Sequence, residues 1–160
     1  MTGEPFFLPW IGTGYSDGVN GSRLLVLGES HYSENPANAY PTLTQDIVTR
    51  VVAGERFPFF TKLGQCIGGA ATGREFTWQS VAFYNYVQQL VGAHARDRPT
   101  EQMWERAMAP FNAVLTKHQP HAILVAGVGT WNSLSRLVPV SALVADGCLL
   151  RGVPVLLNCG

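Results

Sequence analysis

Charged residues are scarce in this 160-residue chain: Asp, Glu, Lys and Arg together make up 14% of it, and 11 acids balance 11 bases. Globular proteins carry about 25% charged residues on average. Because the usual footprint of nucleic-acid binding is a basic domain or a basic stripe, this balance gives no support to binding along an extended polyanion. The 46% hydrophobic content suffices for a buried core, and we expect residues 1–160 to form a single domain.

Cysteines are also few, and Cys66, Cys148 and Cys159 form no C-x-x-C pair. A scattered set of this kind argues against a disulfide framework and a zinc ribbon. Apart from Glu29 and His31, metal-ligating residues do not cluster, so we expect no metal and no other cofactor. No stretch reaches the roughly 18 apolar residues of a membrane span, and residues 1–20 lack the pattern of a signal peptide. We therefore expect a cytoplasmic protein with reduced thiols and no membrane association.

The most informative stretch is a short apolar run, residues 24–27, that leads directly into the polar loop Gly28–Tyr32 (sequence GESHY). A continuously apolar run is typical of a strand whose sheet is covered by helices on both faces. Gly28 permits a sharp turn or the close approach of a ligand to the backbone. Ligand sites of open α/β sheets lie beyond the carboxyl ends of the strands, so the loop is predicted to be part of the functional site.

Strand-like and helical patterns alternate along the rest of the chain. We find no hairpin signal, and this alternation predicts an α/β fold with a parallel sheet of about four strands. Residues 1–21 are predicted to form an ordered loop, and Pro110 is expected to kink or divide its helix. The predicted strands are residues 23–27, 81–87, 121–127 and 153–157, and the predicted helices are about 41–53, 58–67, 98–117 and 129–137.

Polar residues follow each predicted strand. Asn85 lies at the end of the second strand, Thr130 and Trp131 lie in the helix start after the third, and Asn158 follows the fourth. Parallel strands bring their carboxyl ends to one edge, so these residues are expected to converge with the Gly28–Tyr32 loop.

The order of these motifs resembles the uracil-DNA glycosylase-like superfamily, whose fold is a three-layer α/β/α domain with a four-stranded parallel sheet. Three features carry the resemblance: the apolar strand leading through Gly28 to Tyr32, the strand centred on Asn85, and the segment 123–134 with its glycine and tryptophan. Together they cover roughly residues 22–158.

The chain departs from the superfamily pattern in two places. Ser30 stands where the family usually has a water-orienting aspartate, and His31 replaces the proline that follows it. The family's final histidine loop has no counterpart before Gly160, so we expect that it was lost or that it lies beyond this residue.

The resemblance implies recognition of a base extruded into a pocket, with DNA, a nucleobase or a nucleotide as the partner. Asn85 would read the base edge, and Gly28, Tyr32, Thr130, Trp131 and Asn158 would contribute to the binding site. Water held near Glu29 or His31 would hydrolyse the N-glycosidic bond.

Two other functions are compatible with the same residues. Glu29, Ser30 and His31 are the groups of a hydrolase of small esters or amides, although Tyr32 takes the place of the last glycine of a G-x-S-x-G nucleophile elbow. Alternatively, the protein is a binding module without catalysis. Individual residues also have structural interpretations, because His31 can hold the loop through a hydrogen bond and Trp131 can belong to the core.

Overall fold

The computed structural model describes residues 3–69, 71–94, 96–137, 140–144, 147–150 and 153–158, and beyond Arg136 the description is of the backbone alone. The described strands are β1 (Trp10–Ile11), β2 (Leu24–Gly28), β3 (Ala82–Asn85), β4 (Ala122–Ala126), β5 (Val140–Val144), β6 (Gly147–Leu150) and β7 (Val153–Asn158). They form one mixed sheet in the order β1-β3-β2-β4-β7-β6-β5.

The centre of the sheet is parallel, as the sequence predicts. Strand β2 pairs in parallel with β3 and with β4, and β4 pairs in parallel with β7. The register places Gly28 beside Asn85 and Ala126 beside Asn158. The carboxyl ends of these four strands therefore meet at one edge.

The prediction of a purely parallel, four-stranded sheet is wrong at both margins. Strand β1 lies in the segment predicted as a loop and pairs antiparallel with β3. At the other margin, β6 pairs antiparallel with both β5 and β7. Only residues 145–146 and 151–152 separate these last strands. Connections of two residues are too short for the crossover that parallel neighbours need, so the strands return antiparallel.

Helices cover both faces of the sheet, so the described architecture is mixed α/β in three layers. Predicted helices at residues 41–53, 58–67, 98–117 and 129–137 correspond to observed ones, whereas the helix Arg74–Gln79 has no predicted counterpart. The fourth helix is not divided at Pro110, which lies inside it. The bounds are α1 (Leu43–Val52), α2 (Pro58–Gly68), α3 (Arg74–Gln79), α4 (Glu101–His118) and α5 (Val128–Leu137), and a short 3-10 helix spans Pro36–Asn38.

Alternation along the strands creates two separate cores. Leu25 and Leu27 of β2 belong to the cluster beneath α4, whereas Val26 belongs to the cluster beneath α1, α2 and α3. Successive side chains of a strand point to opposite faces, so a continuously apolar strand supplies both cores at once. Burying one such aliphatic or aromatic side chain contributes about 1.5–3 kcal/mol. Among the described residues, no helix combines the length and the apolar character that a membrane crossing requires.

Candidate ligand-binding site

A cavity of about 800 Å³ opens at the carboxyl edge of the parallel strands. Its polar wall comes from the loop after β2, the end of β3 and the start of α5. Its apolar wall comes mainly from α1, α2 and the loop before α2. The polar lining residues are Glu29, Ser30, His31, Tyr32, Ser33, Asn38, Asn85, Arg98 and Thr130, and the apolar and aromatic ones include Tyr40, Leu43, Ile47, Phe57, Phe59, Phe60, Phe83, Leu90 and Val128.

Asn85 is held in the cavity wall by its pairing with Gly28. The two residues are register partners in β3 and β2, and a Cβ on Gly28 would collide with Oδ1 of Asn85. The Asn85 residue is only 6% exposed and lines the cavity, and its backbone carbonyl oxygen accepts from Gln88 Nε2 at 2.7 Å. A ligand in the cavity with a complementary polar edge would meet this amide, which has both donors and an acceptor.

Glu29 is the acidic group of the cavity, and two side chains hold its carboxylate. The Tyr32 hydroxyl donates to Glu29 Oε1 at 3.1 Å, and Arg98 Nη1 donates to Oε1 at 3.2 Å and to Oε2 at 3.4 Å. Burial raises the pKa of the Tyr32 phenol, so this hydroxyl keeps its proton and acts as a donor at neutral pH.

The same carboxylate lies against the first turn of α5. A Cβ added to Gly129 would be 3.3 Å from Glu29 Oε2, so the carboxylate sits directly beside the helix N-terminus. Partial positive charge at a helix N-terminus favours an anion at this position. The Glu29 carboxylate is therefore held in a fixed orientation by Tyr32 and Arg98, and it lines the cavity.

His31 is buried and does not behave as a cation. Its Nε2 is hydrogen-bonded to Thr44 Oγ1 of α1 at 2.8 Å, and its ring packs edge-on against Phe7. Burial lowers the pKa of His31 to about 4, so the imidazole is neutral at neutral pH. His31, which the sequence predicts to be catalytic, therefore has the contacts of a structural residue, because its Nε2 links the Gly28–Tyr32 loop to α1.

Two hydroxyl side chains are also buried in the cavity wall. Ser30 is 8% exposed and Thr130 is 1% exposed, and both line the cavity. Ser30 Oγ is buried without a hydrogen-bond partner among the described residues. A serine nucleophile requires a hydrogen-bonded base. No such bond joins Ser30 to His31, so the expected ester or amide hydrolase lacks its central interaction here.

The remaining predicted residues do not all converge. Trp131 packs against the core beneath α4 and is not among the residues that line the cavity, so its predicted binding role has no support from its position. Asn158 ends β7 beside Ala126 at the correct edge, but its side chain lies outside the described part of the chain.

Several lining residues could not be singled out from the sequence. Phe57, Phe59 and Phe60 follow a pattern typical of helix packing, and Phe60 does belong to the core beneath α2 as well as to the cavity. Arg98 lies before α4, far along the chain from its partner Glu29. Nothing in the sequence around Arg98 indicates this ion pair.

Metal binding has no geometric support in the described residues: no three of their His, Cys, Asp or Glu side chains are grouped closely enough to hold an ion. Comparison with models of known protein families gave no match, and a search of curated proteins found no relative. The cavity itself therefore carries the functional argument. It belongs to a mixed α/β protein with an aromatic pocket at the carboxyl ends of its parallel strands.

Proposed function

We propose that the protein recognises a pyrimidine-like base in this cavity and that it hydrolyses the N-glycosidic bond of that base. The single observation that carries the proposal is the position of Asn85, an amide-bearing residue that is only 6% exposed and belongs to the cavity wall. An amide offers one donor and one acceptor side by side. The edge of a pyrimidine presents the same pair in complementary order, as enzymes that read an extruded base exploit.

The aromatic side chains that line the cavity favour a flat ligand. Phe59 and Phe83 line the cavity, and their rings approach each other edge to face with centroids 6.1 Å apart. Base–aromatic stacking contributes about 1–3 kcal/mol per base. A planar heterocycle would therefore gain apolar contacts from these rings while its polar edge meets Asn85.

Glu29 is the candidate for orienting the water. In the proposed step the oxygen of a water molecule forms a bond to C1′ of the sugar, and the C1′–N bond breaks with its electron pair leaving on the base nitrogen. One proton of the water passes to Glu29 and then to the base nitrogen, so the sugar gains a hydroxyl and the base a hydrogen. Buried donors such as the Asn85 amide would stabilise the departing base.

The likeness of the strand and loop motifs to the uracil-DNA glycosylase-like superfamily supports the same proposal. Glu29 then takes over the task of the family's aspartate from the neighbouring position. The neutral imidazole of His31 is not the cation that assists the leaving group in this scheme.

Calorimetric titration with uracil, thymine and cytosine tests recognition. We expect one of these bases to bind, and Asn85→Ala to weaken binding by about 1–3 kcal/mol, the usual value of a bidentate base contact. Asn85→Asp, which replaces the donor with a carboxylate oxygen, should also weaken it. Gln102→Ala removes an exposed amide of α4 and is the matched control, for which we expect unchanged binding.

Hydrolysis is tested separately by release of free base from a nucleoside and from an oligonucleotide. We expect Glu29→Gln to abolish release while base binding remains, because the amide keeps the shape but cannot take a proton. Arg98→Ala should reduce release with little loss of stability, since Arg98 is largely exposed and exposed ion pairs contribute about 0–1 kcal/mol. Failure of every base to bind would refute the proposed function. Binding of a base without any release of free base from the nucleoside or the oligonucleotide would refute the proposed hydrolysis and support base recognition alone.

A further inference from the structure

We propose that the cavity takes an uncharged, free nucleoside or base, and that it excludes nucleotide phosphates and bases presented by a polynucleotide. This inference rests on the proposed function and specifies its substrate class. It follows from the charges of the lining, the entrance and the first turn of α5.

The described residues of the lining carry no net positive charge that would attract a phosphate. Among the described residues that line the cavity, Glu29 and Arg98 are the ones that carry charge at neutral pH. Arg98 Nη1 donates to both carboxylate oxygens of Glu29, so the two opposite charges offset each other, while the Arg98 side chain stays 69% exposed. Arg56 and Arg96 are exposed but do not line the cavity.

The N-terminus of α5 would be the natural place for a phosphate, but the protein's own Glu29 carboxylate lies beside it. Helix N-termini bind anions through free N–H groups and the helix dipole. Glu29 Oε2 lies beside Gly129 in this first turn. A phosphate entering the cavity would meet this negative charge in a partly buried environment, where repulsion is only weakly screened.

The entrance is apolar as well. Tyr40, Phe59 and Val128 line the cavity and remain 38, 42 and 50% exposed, so they form its rim. A polynucleotide strand brings one phosphate about every 3.4 Å, and proteins that bind it place Lys and Arg along its path. The volume of about 800 Å³ lies within the roughly 300–1,000 Å³ of small-molecule pockets, which leaves room for a whole nucleoside.

The test compares deoxyuridine, deoxyuridine monophosphate and a single-stranded oligonucleotide containing one deoxyuridine, each titrated at low and moderate salt. We expect deoxyuridine to bind at least about tenfold more tightly than the monophosphate, because Glu29 repels the added charge. Any binding of the oligonucleotide should be weak, dependent on salt and unchanged by Asn85→Ala.

Charge variants sharpen this comparison. Glu29→Gln should narrow the difference in affinity between the nucleoside and the monophosphate, because it removes the negative charge. Arg98→Ala should widen this difference, because it removes the positive charge that offsets Glu29. Glu105→Gln, an exposed change on α4, should leave the difference unchanged. Tighter, Asn85-dependent binding of the monophosphate or the oligonucleotide would overturn this inference while the proposed function stands. Binding of none of the three ligands, or binding that does not depend on Asn85, would instead refute the proposed function itself.

Discussion

Oδ1 of Asn85 lies against the Cα of Gly28, in the space that any side chain at residue 28 would need. The two residues are neighbours across β2 and β3, at the last pair of that ladder. The same pairing that completes the parallel sheet therefore sets the Asn85 amide in the cavity wall. Glycine is required here by the lack of space, since no unusual backbone angle is recorded for residue 28.

Gly28→Ala should displace the Asn85 amide and abolish base binding. The new methyl group would also lie 3.1 Å from the Phe83 ring, so we expect an overpacking cost of about 1–3 kcal/mol in the free energy of unfolding. Calorimetry and urea unfolding measure the two effects. Gly3→Ala is the control, because its Cβ would meet only the Ala109 carbonyl oxygen at 3.9 Å. Normal base binding by Gly28→Ala would show that the position of the amide does not matter.

Phe59→Ala should weaken base binding by about 1–3 kcal/mol, the contribution of one stacked ring. Stability should fall less than for a buried phenylalanine, because Phe59 is 42% exposed. Phe76 of α3 is 70% exposed and does not line the cavity, so Phe76→Ala is the matched control. Equal affinities of the two variants, measured by calorimetry, would contradict a stacking role of Phe59.

Ser30→Ala should leave the free energy of unfolding unchanged or increase it, because it removes a buried hydroxyl without a partner among the described residues. The contrast is Ser80, whose buried Oγ donates to the Phe76 carbonyl oxygen at 2.7 Å. Ser80→Ala should cost about 0.5–1.5 kcal/mol. Urea unfolding of both variants tests this difference. Turnover of a generic ester that disappears in Ser30→Ala would favour the hydrolase over the glycosidic function.

His31 should make stability depend on pH between about 4 and 6.5. Burial lowers its pKa in the folded protein to about 4, while the unfolded chain protonates this residue near its usual value of about 6.5. The unfolded state binds more protons within this window, so the free energy of unfolding falls as the pH falls from 6.5 to 4. The full effect is on the order of 3 kcal/mol and is complete above pH 6.5.

His31→Gln should remove this part of the pH dependence while the side chain can still bond to Thr44. Denaturant unfolding between pH 4 and 7 measures the slope. Burial also lowers the pKa of His118, so a smaller slope of the same sign should persist in the variant. His94→Gln, at an exposed loop position, should keep the slope of the original chain. An unchanged slope in His31→Gln would mean that the imidazole is not held neutral by burial.

Local sequence patterns were sufficient for the centre of the fold. The continuous apolar run before Gly28 predicts a strand covered on both faces, and β2 does supply both cores. Alternation of strands and helices predicts the parallel pairing that brings Glu29 and Asn85 to one edge. These features depend on periodicity and chain order, which are properties of the sequence itself.

Tertiary structure decided the chemistry of the site. The ion pair of Arg98 with Glu29 joins residues that are 69 positions apart, and the partner of the His31 ring comes from another element, α1. Trp131 faces the core although its position in the sequence suits a ligand contact equally well. The sequence alone determined that the Gly28–Tyr32 loop and Asn85 reach the same edge of the sheet. Which of their side chains are buried, neutral, paired or left without a partner depends on packing between distant segments, because desolvation and hydrogen bonding act through space.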